Sequence, residues 1–436
     1  MSQNAAKPRL LIISQVYVPD PASVGQHMAD AASELVKRGY DVRVLTSGRG
    51  YADPTVKYPP RETLDGVEII RLPFSSIGKR TILHRLIGQT MFLAQVIARG
   101  WFTPRLVSIL VSTSPPMASF AAVAIRLIRR VPIKFWLMDL NPDQTIAMGS
   151  IAPNSLAVRA FNWLNRRILA AASDVIVLDR FMGDRVNAKR NVAHKISVIP
   201  PWPHEDELES VPRDANPFLE RHELADKFVV MYSGNHGLTT PVDTLVEAAL
   251  RLRDHPTLRF LFIGGGAGKR VVDDAIAKHR PPNLISLPYQ PLDQIKYSLS
   301  AADVHVVLMA DQLVGMVHPC KVYGAMAIAK PVLYFGPRPS HITELLDHQE
   351  IGWEGNLRSV EETVELLRKI ADTPREKLHA MGQRARSLVD HRLSKALLCE
   401  EFLDVVMRGI PRPTAVHATS AQAADTRKQP AGAAAD

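Results

Sequence analysis

Lys321 is placed where a lysine needs a partner. It stands in Val314-Gly-Met-Val-His-Pro-Cys-Lys-Val-Tyr-Gly-Ala-Met326, after the apolar run Val304–Leu308. Pro319 suits the first turn of a helix opening there. Lys321 then sits at the positive end of the helix dipole, where a cation is disfavoured. That points to an anionic partner such as a diphosphate, against the plainer reading of a solvated surface lysine.

Three other segments could meet the same anion. Tyr232-Ser-Gly-Asn-His-Gly-Leu238 closes an apolar run, and its glycines, Gly234 and Gly237, allow close backbone approach. Asn235 tolerates unusual dihedrals, and Thr239-Thr-Pro-Val-Asp243 reads as a Thr-capped helix start. Phe262-Ile-Gly-Gly-Gly-Ala-Gly268 is a strand entering a glycine-rich loop, where Gly264 and Gly265 would admit a sugar or base ring. It lacks the Lys-Ser/Thr of a P-loop, so ATP hydrolysis is not implied, and it reads equally as a tight turn. Near the start, Tyr17 to His27, with Gly25, joins the first strand to the first helix, whose N-terminus could face a phosphate or an acceptor. No G-x-G-x-x-G is present there.

Among titratable groups, His27, His236 and His318 could stay protonated beside a phosphate, or be ordinary loop histidines. Asp139 and Asp143 could orient an acceptor or serve as a base, or simply cap a turn. Glu344 reads more naturally as a helix cap. Cys320 and Cys399 have neither a disulfide framework nor metal-ligand spacing.

Something must position these loops. Strand-length apolar runs alternate with amphipathic helical patterns, the signature of βαβ units and a parallel sheet. The runs in the first half are Arg9–Ser14, Val42–Thr46, Val67–Leu72, Leu106–Ser112, Ile133–Met138, Val175–Leu178 and Ile196–Ile199. Pro200-Pro-Trp-Pro203 and an acidic stretch then interrupt the pattern, which restarts with Phe228–Tyr232, Arg259–Ile263, Leu284–Leu287, Val304–Leu308 and Val332–Phe335. The expected α/β organisation is an N-terminal tail (1–7), a Rossmann-like domain (8–203), a linker (204–226) and a second Rossmann-like domain (227–390). A helix (391–410) returning to the first domain and a disordered tail (411–436) complete it.

The formal net charge is +9, which permits nucleic acid, an anionic membrane or phosphorylated substrates. Nucleic acid is not expected, because aromatic and basic residues do not interleave. The basic residues cluster in the first half, around the apolar stretch Lys79–Trp101. That stretch suits a helix lying on an anionic leaflet, or a core helix with a basic cap. The uncharged run Leu106–Ile125 is broken by Ser112-Thr-Ser-Pro-Pro116, so it reads as strand, turn and helix start rather than a membrane span. The N-terminus has no signal-peptide layout.

With these elements in order, the chain resembles the family-4 glycosyltransferases of the GT-B fold, in which two doubly wound Rossmann-like domains face a central cleft. The resemblance runs over most of residues 8–408. Its motifs are Val230-Met-Tyr-Ser-Gly-Asn235, Phe262-Ile-Gly-Gly-Gly266, Leu299-Ser-Ala-Ala-Asp-Val-His305 and His318-Pro-Cys-Lys-Val-Tyr-Gly-Ala-Met-Ala-Ile-Ala-Lys-Pro-Val332. In the first half they are Glu34-Leu-Val-Lys-Arg-Gly-Tyr-Asp-Val-Arg-Val-Leu-Thr46 and Met138-Asp-Leu-Asn-Pro-Asp143, the latter similar to a turn of exopolysaccharide enzymes.

The resemblance implies retaining, metal-independent transfer from a nucleotide-diphosphate sugar, a substrate rather than a cofactor, to a lipid-linked or glycan acceptor at the cytoplasmic membrane surface. It implies catalytic roles for Asp139, His318 and Lys321. Donor contacts are expected at Gly25, Gly234, Asn235, His236, Gly237, Gly264, Gly265, Tyr289, Gly315, Met316, Val317, Pro319, Tyr323 and Gly324. Many relatives carry a glutamate pair where this chain has Met316 and Gly324. That departure keeps a non-catalytic partner subunit in view; a nucleotide-sugar 2-epimerase would need acidic residues that 314–320 lacks.

Overall fold

The computed structural model describes residues 7–20, 22–50, 53, 55–73, 82–204, 208–237 and 239–413, with only the backbone described over 82–86. Most of the expected N-terminal tail, the Lys79–Arg80 end of the basic stretch, part of the acidic linker, Leu238 and the tail beyond 413 lie outside the described residues.

The first domain runs β1 (Arg9–Ile13), α1 (Ser23–Lys37), β2 (Asp41–Ser47), β3 (Arg61–Leu64), β4 (Val67–Leu72), α2 (Ile82–Trp101), β5 (Leu106–Ser112) and α3 (Ala118–Arg129). It continues through β6 (Ile133–Trp136), α4 (Asp143–Ala147), α5 (Leu156–Ala171), β7 (Asp174–Val177), α6 (Arg180–Lys189) and β8 (Ile196–Val198). The second runs α7 (Pro217–Arg221), β9 (Phe228–Ser233), α8 (Asp243–Arg251), β10 (Leu258–Ile263), α9 (Lys269–His279), β11 (Leu284–Leu287), α10 (Ile295–Ser300) and β12 (Val304–Leu308). Then follow α11 (Lys321–Ala327), β13 (Val332–Phe335), α12 (His341–Gln349), β14 (Gly352–Gly355), α13 (Val360–Ala371), α14 (Arg375–Leu388) and α15 (Lys395–Met407).

The strand order is β3-β4-β2-β1-β5-β6-β7-β8 in one sheet and β11-β10-β9-β12-β13-β14 in the other. Every pairing is parallel except β3 with β4. β1, β6, β7, β12 and β13 are buried along their whole length, as parallel strands covered by helices on both faces should be. Chain order reverses beside β1 and β5 in the first sheet and beside β9 and β12 in the second. Ligands of open parallel sheets bind outside the carboxyl ends of the strands at such reversals.

Four details differ from the sequence-based expectation. β3 forms an antiparallel hairpin with β4 through Asp65 and Gly66, both at positive φ (51° and 78°), the two-residue turn that Asp-Gly favours. β14 begins at Gly352, where any Cβ would overlap the Val332 carbonyl; its composition gives no strand signal. The linker ends earlier than expected. Asn216 caps α7, and Phe218, Leu219 and Leu224 are buried with Val229, Met231 and Leu261 of the second domain. Finally, α8 starts at Asp243 with no side-chain cap, because Thr240 Oγ1 instead donates to the Gly237 carbonyl (2.9 Å).

α15 packs on the first domain, against α1 and β7. Lys134 Nζ, buried under it, donates to Asp174 (2.6 Å) and to the Arg408 carbonyl (2.6 Å), while Arg408 holds the other Asp174 oxygen (3.0 Å). Trp136 and Trp202 stack in the same layer, with the Phe402 ring tilted against the first and edge-on to the second. Among the described residues no helix is long and apolar enough to cross a membrane.

Candidate active site

The reversal point of the second sheet carries the cation. β9 leads into Gly234 (φ 136°) and β10 into Gly264 (φ 127°), conformations open mainly to glycine. The two glycines lie against each other: a Cβ on Gly264 would overlap the Gly234 carbonyl, and one on Gly234 would overlap Lys321 Cε. The Lys321 side chain therefore lies across Gly234, with Nζ 5.1 Å from the centre of the Tyr232 ring. Among the described residues it forms no ion pair. The neighbouring Lys269 behaves differently, donating to the Phe262 and Leu287 carbonyls at the strand ends (2.9 and 2.6 Å).

Two backbone bonds zip the glycine loops together, His236 N–H to the Gly265 carbonyl (2.7 Å) and Gly268 N–H to the His236 carbonyl (2.8 Å). Asn235 is exposed, Gly237 and Gly265 are half-buried, and Tyr289, at 60 % exposure, places its ring over Gly265. The glycines thus serve the chain's own close approaches, rather than opening Gly264 to a ring.

His236 is buried, with Nδ1 at 3.0 Å from the Gly234 carbonyl. A carbonyl only accepts, so Nδ1 carries the proton, and Nε2 is left an acceptor without a partner. Burial pushes its pKa down to about 4, helped by the nearby charges of Lys269 and Lys321. His236 is therefore neutral, not the protonated group that the sequence suggested.

The neighbouring stretch, 314–323, builds a seam between the domains. Asp179 caps α6 through the Met182 N–H (2.8 Å), and its other oxygen meets His318 Nδ1 at 2.7 Å. His318 Nε2 lies 2.7 Å from the Tyr323 hydroxyl, which lies 2.8 Å from His341 Nε2. An ionised Asp179 accepts a hydrogen bond from His318 Nδ1, and the Tyr323 hydroxyl bridges His318 Nε2 and His341 Nε2. Burial raises the Asp179 carboxyl, but the His318 hydrogen bond and charge outweigh it and hold it below its ordinary value. Burial, then His318, pushes His341 down to about 3. Beside this chain the Leu140 N–H donates to the Met316 carbonyl (2.9 Å), Arg185 donates to the Val314 carbonyl (2.5 Å), and Gly315 packs on the Phe181 carbonyl.

These contacts correct several expectations. The His318 side chain is fully buried with both nitrogens engaged, so it positions the 314–323 segment and does not touch substrate. Tyr323 is buried by the same chain, Met316 in the core, and Gly315 against α6. Val317, Pro319 and Gly324 stay half-buried along the stretch. Gly25 is buried where a Cβ would crowd the Tyr17 backbone. His27 is buried with Nε2 on the Trp202 carbonyl (2.9 Å) and holds α1 to the end of the first domain. Asp143 pairs with Lys189 (2.6 Å). Glu344 is no cap: Ser340 and Thr343 form the capping box of α12, and Glu344 receives Arg180 from the first domain (2.6 Å).

Asp139 remains open for chemistry. It follows β6 at the carboxyl edge of the first sheet, its N–H donating to Thr113 Oγ1 (3.3 Å) at the end of β5. Its neighbour Leu140 reaches the second domain. Among the described residues its carboxylate accepts no hydrogen bond, and burial pushes its pKa up to about 6, the range in which a carboxylate exchanges protons near neutrality. Lys321 was legible from its place in the sequence, whereas Asp179, Arg185 and Tyr232 were not, since their roles depend on partners far along the chain or on the turn at Gly234.

Residues 23–202 match the family described as "Glycosyl transferase 4-like domain", and residues 217–388 that described as "Glycosyl transferases group 1". A probable glycosyltransferase WbjE of Pseudomonas aeruginosa is 26% identical over 321 residues, 71% of this chain and 78% of that protein. A putative colanic acid biosynthesis glycosyl transferase, WcaI, of Escherichia coli is 22% identical over 339 residues, 73% of this chain and 81% of that protein. The fold of Anabaena Alr3699/HepE, solved in complex with UDP and glucose, superposes with a TM-score of 0.67 at 16% identity, covering 92% of this chain and 99% of that one.

Proposed function

The chain belongs to the family-4 glycosyltransferases of the GT-B fold, and from that premise we propose that it moves a sugar from a nucleotide diphosphate to a lipid-linked or polysaccharide acceptor at a membrane surface. The observation that carries this reading is Lys321, a cation laid across Gly234 where the second sheet reverses its order and without an acidic partner among the described residues. The diphosphate lies against Lys321, which stabilises the charge that grows as the sugar–phosphate bond breaks. The acceptor oxygen forms the new bond to the sugar carbon, and its proton passes to Asp139. The exposed Tyr289 ring offers a face for the nucleotide base. Retention of configuration and independence from metal are carried over from the family resemblance. Acceptors of the polysaccharide or lipid-linked class agree with the WcaI likeness, whose name places that protein in colanic acid biosynthesis.

Mass spectrometry of products from a panel of UDP-, GDP- and TDP-sugars with lipid extracts tests the reading. A donor-dependent mass increase on the acceptor is expected, lowered about 10²- to 10³-fold in Lys321→Ala. No transfer, no donor hydrolysis and no donor binding across the panel would return the chain to a non-catalytic partner role.

A further inference from the structure

The first domain presents a face that the transfer chemistry does not use. α2 packs beside α3, and α3 beside α5. Between Glu68 and Asp174 the only acidic residues are Asp139 and Asp143, so none of these three helices carries one. Arg99, Arg130, Arg159, Arg166 and Arg167 are exposed on or beside them. Large apolar side chains stand out among these cations: Phe102 is 84 % exposed, Leu156 81 % and Leu127 76 %. Ile128 and Trp163 are also exposed, with Arg167 over the Trp163 ring at 5.1 Å.

The surface is held rigid. Arg129 donates to the Trp101 and Thr103 carbonyls (both 2.6 Å), and Trp101 Nε1 to the Ala124 carbonyl (3.2 Å). The carboxyl ends of α2 and α3 are thereby locked together, with Phe102, Leu127 and Ile128 at that end. Each helix runs back from the carboxyl ends of the strands to the amino end of the next. The other end of the face, with Phe120 and Leu156 exposed at the starts of α3 and α5, therefore lies at the sheet edge where the active site opens, and Met91 is exposed midway along α2.

We propose that the outer face of α2, α3 and α5 docks on an anionic lipid bilayer. Aromatic and aliphatic side chains enter the interfacial layer while guanidinium groups meet the headgroup phosphates. An acid-free surface of this charge complements an anionic leaflet, and its lengthwise lie brings the cleft edge to the bilayer. The assignment deepens the membrane-surface reading above and rests on it for its use. It also widens the docking element expected over Lys79–Trp101 to the outer face of three helices.

Flotation of the full chain with phosphatidylcholine vesicles, with and without phosphatidylglycerol, tests it. The wild type is expected to float only with the anionic vesicles. Phe102→Ser with Leu127→Ser, and separately Arg130→Gln with Arg167→Gln, should each weaken that binding by about tenfold or more. Hydrolysis of the donor sugar in vesicle-free solution should be unchanged, and this readout separates failure of the docking face from failure of the transferase reading. Wild-type protein that ignores anionic vesicles, or variants that float as it does, would overturn the proposal. So would a protein that ignores vesicles but self-associates through Phe102 and Leu127, which would make the face a contact between two copies.

Discussion

Lys321 and His318 lie three residues apart, yet they occupy opposite physical worlds. Lys321 is half-buried over a glycine turn and, among the described residues, pairs with no acid. His318 is sealed between the domains with both nitrogens engaged. The first arrangement leaves a positive charge for a ligand to meet. The second is complete without one. One short segment thus joins a ligand-seeking group to the contact that fixes its orientation, and activity and stability should separate when each is altered.

The sharpest break of that comparison lies in Asp139, at the carboxyl edge of the first sheet. Asp139→Asn should lower transfer by roughly 10²- to 10⁴-fold, the usual worth of a positioned base. With burial raising its pKa to about 6, the carboxyl is protonated and idle below that pH and ionised above it. The wild-type rate should therefore climb through about pH 6, and stopped assays of the variant should show no such limb. An unchanged limb would assign it to another group.

His318→Ala attacks the sealed side. It leaves the buried Asp179 carboxylate without one of its hydrogen bonds, a loss of about 1–3 kcal/mol. Thermal denaturation should show the loss, and donor turnover measured well below the new midpoint should fall far less than for Lys321→Ala. Equal damage to both properties would make His318 part of the chemistry.

Acid should find both the glycine loops and the seam. His236 and His341 have folded pKa values of about 4 and about 3, below the value near 6.5 of an unfolded histidine. Their neutral forms are favoured by folding, so this stability is complete above about pH 6.5 and drains away as pH falls toward about 4. Denaturation midpoints taken from pH 7 to pH 4 should fall, and His341→Phe should flatten part of the slope. The smallest effect belongs to Glu344→Gln. Its pair with Arg180 bridges the domains but is exposed to solvent, so it should cost under about 1 kcal/mol.

The same contrast explains what the sequence could tell. Both sheets follow from the alternation of apolar runs with helical patterns. The strands it missed were β3, for which Asp65-Gly66 was a readable turn, and β14, whose opening glycine hides it. Lys321 was legible because its place at a helix start is itself an electrostatic anomaly. His318 was misread because its partner Asp179 stands 139 residues away in the other domain, and spacing along the chain carries no trace of that contact. Gly234 and Gly264 were recognised as special, but their purpose, to pass each other and admit Lys321, appears only once the two strands are paired.

Calorimetric titration of UDP into the wild type and Lys321→Ala tests the central claim most directly. The account predicts a dissociation constant at least about tenfold weaker in the variant, the loss of one charge-assisted contact, with the thermal midpoint of the unliganded protein unmoved. Equal affinity in the two proteins would contradict it, and would mean that the cation over Gly234 waits for something other than a diphosphate.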